Sequence, residues 1–322
     1  MASDINELAR QCGVSKATIS RVFTGRARVS EEVRARVLAA ARRLNYRPQQ
    51  VMARDCVAIV VADLPSPQRR LSFSERLLTS AVFEITRNHL QTEVIPVRDL
   101  SRLYDSYTRA VLLLLSEPYI EAHRAEFERL PMPVVTVNKQ YPFSSSVNTD
   151  HGQGVTLALR HLHENGHRRI GLTVDRLENQ AGQERIAAYG AFVKERGLVP
   201  LPVGHFYNLT AGESLRALDR VLAERPTALV VCGESMALQS VHELRRRGYR
   251  IPEDISLVTS ELEEICCWLT PELTTINQDL DALAAKTVSV LLARIREPDL
   301  PREDIRLPSS LIVRSSVRRV DA

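Results

Sequence analysis

Apolar positions in the first 44 residues recur at helical spacing. Ile5, Leu8 and Ala9 form one stripe, Ile19, Val22 and Phe23 a second, and Val33, Val37, Ala40 and Leu44 a third. The first stripe predicts a short helix capped by Asp4, with Glu7 three residues on to reciprocate. Gly13 supplies the turn, and Ser15 caps a second helix from Lys16 to Phe23. A third helix starts after Ser30, with Glu31 and Glu32 at its positive end and Arg42 and Arg43 at its negative end. Asn45-Tyr46-Arg47-Pro48 ends it. Two short helices around a tight turn, closed by a third, make an all-α helix-turn-helix head.

From Val57 the texture changes. VAIVVADL is a continuous apolar run, as expected of a parallel strand covered on both faces. TEVIPV, AVLLLL and PVVTVN follow, alternating with helical patterns at Ser74 to Asn88 and Pro118 to Arg129. The rhythm then repeats. Helices at Val155 to Asn165, Gly182 to Arg196, Ala211 to Glu224 and Met236 to Arg247 alternate with strands RRIGLTVD, PVGHFYN, TALVVC and DISLVTS. LTTINQD leads into a long helix, Leu280 to Arg296, and a strand-like LIVRSSV follows. This predicts an α/β core of two doubly wound parallel sheets, with a cleft between lobes at the carboxyl ends of the strands.

Charge is divided unevenly. Residues 1–54 hold eleven Lys/Arg against four Asp/Glu, whereas the rest holds 32 against 35. A basic head on a mildly acidic body suits a polyanionic partner. No signal-peptide pattern opens the chain and no apolar run approaches a membrane span, so a cytoplasmic protein is expected. Five scattered cysteines lack C-x-x-C spacing; the Cys266-Cys267 pair reads as two buried thiols or a redox pair. His161, His163 and His167 read as surface or capping residues, and neither a metal nor a cofactor is expected. Nucleophile-elbow, P-loop, zinc-protease and dinucleotide motifs are missing, which argues against an enzyme.

The second helix turns Lys16, Ala17, Thr18, Ser20 and Arg21 outward. Small, hydroxylated and basic side chains suit the DNA major groove and its phosphates. Together with VSEEVRARVLAAARRLNYRP, HLHENGHRRIG, IPEDISLV and LTPELTTINQD, this block resembles the lactose-repressor/galactose-repressor family of bacterial transcription regulators. The resemblance implies a helix-turn-helix domain over 1–48, a hinge over 49–56 and a periplasmic-binding-protein-like core over 57–322. Its N-lobe would take about 57–165 and 278–306, its C-lobe about 166–277 and 307–322. It implies a regulator, expected to be a repressor, in which a homodimer sets two heads on one palindromic operator in double-stranded DNA. The dimer would form through Ser74 to Asn88 and Leu280 to Arg296. Lys16, Ala17 and Arg21 would meet base edges, or Lys16 a phosphate alone; Ser15, Thr18 and Ser20 would meet phosphates. Thr24, Tyr46 and Arg54 are further expected DNA contacts.

Two stretches depart from the family pattern. The hinge, QQVMARDC, is short, and Asp55 falls near the place of the leucine that wedges into the minor groove; Val51 or Met52 would take that role, or the hinge does not intercalate. In the effector cleft, Cys232-Gly233-Glu234 and Ser260-Glu261-Leu262 replace the usual A-N-D and F-D-D, and Asp150-His151-Gly152-Gln153-Gly154 replaces D-N-x-x-G. The resemblance places Arg185 as the ligand-binding arginine and Phe206 or Tyr207 as a stacking aromatic. Ser66, Gln153, Glu234 and Glu261 complete the expected cleft residues. A small polar effector follows, by default a carbohydrate or sugar derivative, with a cleft that has lost its ligand as the alternative. A solute-binding protein is the alternative of another class. Trp268 lies near the cleft or serves packing.

Overall fold

A computed structural model describes residues 5–24, 29–44, 56–62, 73–105, 108–175, 177, 179–205, 211–233, 236–260, 262–297 and 299–320. The head contains α1 (Ile5–Cys12), α2 (Lys16–Thr24) and α3 (Glu31–Arg43). Leu8, Ala9, Cys12, Ile19, Val22, Val37, Ala40 and Ala41 close one small core, so all three apolar stripes converge. Gly13 ends α1 at φ +61°, with Val14 N–H donating to Ala9 O at 3.2 Å. Ser15 Oγ accepts Thr18 N–H at 3.1 Å, the expected cap of α2, and Ser30 Oγ accepts from Val33 N–H at 3.4 Å. The Glu7 carboxylate pairs with Arg10 at 2.6 Å and accepts from Gln11, because both lie one turn along the same face. Asp4 lies outside the described residues.

The core continues with β1 (Cys56–Val61), α4 (Phe73–Arg87), β2 (Gln91–Pro96), α5 (Arg102–Asp105), β3 (Thr108–Leu114), α6 (Glu117–Ala122), α7 (Arg124–Glu128), β4 (Val134–Val137) and β5 (Ser145–Thr149). Next come α8 (His151–Glu164), β6 (Ile170–Val174), α9 (Gln180–Glu195), β7 (Gly204–His205), α10 (Ala211–Leu222), β8 (Ala228–Cys232), α11 (Met236–Arg246), β9 (Ser256–Thr259) and α12 (Glu263–Cys266). The described elements end with β10 (Thr274–Asn277), α13 (Leu280–Arg296), β11 (Asp304–Leu307) and β12 (Ser310–Ile312). The helix expected from Pro118 to Arg129 breaks at His123, whose φ of −115° leaves the helical region.

Among the described residues two six-stranded sheets form, ordered β11-β5-β4-β3-β1-β2 and β12-β10-β9-β8-β6-β7. Among the described strand pairs only β10–β12 is antiparallel. In β1, Val57 and Ile59 enter one core cluster while Ala58 and Val60 enter another. Both faces are covered, which is why the run shows no alternation. In β8, Leu229 and Val231 face away from Ala228, Val230 and Cys232 in the same way.

β5 escaped the sequence pattern because SSVNT is polar, yet all five residues are buried. Part of this polarity is met by side chains: Ser146 Oγ donates to Asp304 Oδ1 at 2.5 Å, and Asn148 Nδ2 donates to Ser146 Oγ at 2.6 Å. The chain passes between lobes at β5–α8, β10–α13 and β11–β12. The first passage corrects the expected boundary near 165. Val155, Ala158, Leu159 and Leu162 of α8 pack with β6 and β8, so α8 belongs to the second lobe. Helix α13 returns to the first lobe and buries Leu283, Ala284, Val288 and Leu291 against α4 and the sheet.

His167 anchors the chain's last described residues to the second lobe. Fully buried, its Nδ1 lies 2.9 Å from Thr227 Oγ1 and its Nε2 3.1 Å from Arg318 O. Burial lowers its pKa from 6.5 to about 4. The folded state therefore binds fewer protons than the unfolded state between those values. The contribution is complete above pH 6.5 and is lost as pH falls towards 4, about 3 kcal/mol in all. Urea midpoints measured from pH 7.5 down to 4.5 are expected to fall for wild type and to fall less for His167→Gln; parallel curves would refute this assignment.

Candidate functional site

In the head, Lys16, Ala17 and Arg21 are exposed on α2, and Thr18 and Ser20 are half-buried. Ile19 and Val22, on the opposite side, are buried. The capping bond of Ser15 and its 2.9 Å contact with Thr18 Oγ1 fix the first turn, so Lys16 and Ala17 stand at the helix N-terminus where partial positive charge is greatest. A helix end with donors and a lysine beside it favours phosphate, and the next turn presents Arg21 along the same exposed face. Thr24 closes α2. Tyr46, Val51, Met52 and Arg54 lie outside the described residues.

The second candidate site lies where the carboxyl ends of both sheets meet. Arg185 on α9 is buried, with its guanidinium 3.5 Å from Asp175 Oδ1 at the end of β6 and 3.5 Å from His151 Nδ1 at the start of α8. His151 is buried as well, and its Nε2 has no hydrogen-bond partner. Burial and the cations of Arg185, Lys139 and Arg306 hold its pKa well below the ordinary 6.5, so the ring is neutral. A neutral ring places no second cation beside the guanidinium. Both Arg185 contacts are long, and a planar donor group so loosely engaged suits bidentate recognition of hydroxyl or carboxyl oxygens. Cys232, fully buried at the end of β8, has its thiol pKa raised by burial, which makes it an inert wall of this site.

Gln153 bonds across the passages between lobes. Its Oε1 accepts Ser309 N–H at 2.8 Å, while Ser309 Oγ donates to Asp150 O and Asp150 N–H donates to Leu307 O, both at 2.9 Å. Gln153 thus ties the first passage between lobes to the third. Gly154 lets the second approach, since a Cβ there would lie 2.6 Å from Ile276 Cγ2. Of the other expected cleft residues, Ser66, Phe206, Tyr207, Glu234 and Glu261 lie outside the described residues. Trp268 is 87% exposed, so it does not pack in the core. Cys266 is buried but Cys267 exposed, which corrects the expectation of two buried thiols, and no disulfide joins them.

The residues missed from sequence are Asp175 and His151. Asp175 ends an apolar strand, and the rule that ligands gather at strand ends would have found it. His151 was visible only as a substitution in D-N-x-x-G, and its partner on α9 lies 34 positions away. Among the described residues, no helix is long and apolar enough to cross a membrane.

Residues 4–49 match the model of bacterial regulatory proteins, lacI family, and residues 159–317 match that of a periplasmic binding protein-like domain. Similar proteins include the HTH-type transcriptional repressor PurR of Mannheimia succiniciproducens, 25% identical over 98% of this chain and 99% of the relative. PurR of Escherichia fergusonii is 27% identical over 97% of this chain and 96% of its own length. Among solved structures, a lac repressor dimer bound to operator and the anti-inducer ONPF superposes with a TM-score of 0.80 at 22% identity, covering 99% of this chain and all of the other. A CelR–cellobiose complex superposes at 0.70, with 23% identity over 98% and 99% of the two chains. A regulator from Enterococcus faecium with bound ribose gives 0.69 at 21% identity, covering 83% of this chain and all of the other.

Proposed function

We propose that this chain is a member of the lacI family of bacterial regulatory proteins, a transcriptional repressor of the cytoplasm whose dimer binds a palindromic operator. The observation that carries this reading is the exposed Lys16-Ala17-Arg21 face of α2 in a head of that family. Lys16 and Arg21 contact bases or phosphates, and Ala17 leaves room for a thymine methyl. Dimer contact runs along the outer face of α4, where Phe83 stands exposed; α13 spends most of its apolar face on the first lobe's own core.

The cleft takes a small polar effector, by default a carbohydrate or sugar derivative. Arg185 grips its oxygens, and Asp175 accepts from a hydroxyl. Neighbours in fold that bind cellobiose and ribose support the default. The effector favours one lobe arrangement and thereby changes the spacing of the two heads.

The test is an operator titration with and without candidate sugars. A bound effector is expected to change operator affinity about 5–150-fold, and Arg185→Ala to abolish that response. Should no sugar, sugar acid or sugar phosphate shift the affinity beyond about twofold, control through the cleft is refuted. Equal binding to a palindrome and to random duplex would sink the repressor reading itself.

A further inference from the structure

Helix α9 carries Arg185 in the second lobe, and its first turn also reaches the first lobe. Glu184 Oε1 lies 2.6 Å from the guanidinium of Arg306 on β11. The same oxygen accepts from Gln180 Nε2 at 3.0 Å, which braces the carboxylate from its own helix. One turn earlier, the backbone N–H of Gln180 donates to Glu117 Oε1 of α6 at 3.2 Å. That amide is the first of a 16-residue helix and has no partner within it. A carboxylate from one lobe therefore completes the N-terminus of a helix in the other, where the helix dipole favours negative charge. Asn179 caps only Gly182 N–H, at 2.6 Å, and leaves the Gln180 amide to Glu117.

We propose that Glu184–Arg306 and Glu117–Gln180 form an ionic clasp between the lobes that holds α9, and with it Arg185, in this arrangement without any effector. The side chain of Glu184 is 19% exposed and that of Arg306 43%, so the ion pair alone is modest. A pair of this kind shifts a two-state ratio by about twofold to fivefold, enough to matter where lobe arrangements are closely balanced. Glu184 and Arg306 are positioning residues: they act through the helix that bears Arg185. The clasp rests on the two-lobed fold and not on the identity of any ligand.

Amide hydrogen exchange on the intact protein, without effector, tests it. Arg306→Glu is expected to raise exchange at the amides of residues 180–184 by about twofold to fivefold, although the substitution lies on the other lobe. Glu184→Arg is expected to do the same, and the double variant Glu184→Arg/Arg306→Glu to return towards wild type. A merely local packing role would give additive damage with no rescue. Unchanged exchange in either single variant, or a double variant worse than both, overturns the clasp. Operator binding by the wild-type protein, measured on the same preparations, is a separate result: its failure would sink the repressor reading and leave the exchange comparison standing.

Discussion

Lys16→Ala and Arg21→Ala are each expected to weaken operator binding about 10- to 100-fold at moderate salt, with little change in thermal unfolding. Both side chains are exposed on α2 and opposite the residues that build the head's core, so their removal opens no cavity. The two variants also separate base reading from phosphate anchoring. If Arg21 meets a guanine edge, Arg21→Ala loses affinity for the operator and relaxes preference at one base pair. If Lys16 meets only phosphate, Lys16→Ala weakens all duplexes alike and lowers the salt slope by about one. Anisotropy titrations of the operator, a single-base variant and random duplex across a salt series distinguish these outcomes. A double variant that binds within about twofold of wild type would refute the whole assignment of α2 as the reading helix.

The head was legible in sequence because its chemistry is local. Gly13, Ser15 and Ser30 each act within three or four residues, and the spacing of Leu8, Ile19 and Val37 encodes the core directly. Parallel strands such as β1 and β8 were legible for the opposite reason. Their unbroken apolar runs report burial on two faces. What escaped notice depends on partners far along the chain. β5 is polar because Ser146 answers Asp304, about 160 positions away, and Asn148 in turn donates to Ser146. The allegiance of α8 is set by its contacts with β6 and β8, which sequence order cannot rank. The cleft was half legible. Arg185 came from the family resemblance, but its pairing with Asp175 and His151, and the use of Gln153 to knit the passages between lobes, arise only when two lobes meet.

Gly166→Ala is expected to lower stability by about 3–5 kcal/mol, a large part of what a domain usually has. Gly166 sits at φ +90°, where an L-residue is strained, and a Cβ added there would lie 2.0 Å from Val320 O. The neighbour cannot yield cheaply, because it is backbone. Val320 N–H donates to Asn165 O at 2.9 Å, and Arg318 O meets the buried His167 ring. Arg318 N–H donates to Ser256 Oγ at 3.0 Å, and Ser316 bridges Leu257 and Thr274. Moving residue 320 out of the way would loosen this segment and leave Nε2 of His167 without its Arg318 O partner in the interior, itself about 1–3 kcal/mol. Gly248→Ala is the matched control: its φ is +83°, but nothing lies within 4 Å of the added carbon, so only the conformational cost remains, about 1–2 kcal/mol. Urea unfolding of the two variants beside wild type therefore isolates the contribution of the docked segment. Equal midpoints for Gly166→Ala and Gly248→Ala would mean that residues 316–320 do not brace the second lobe.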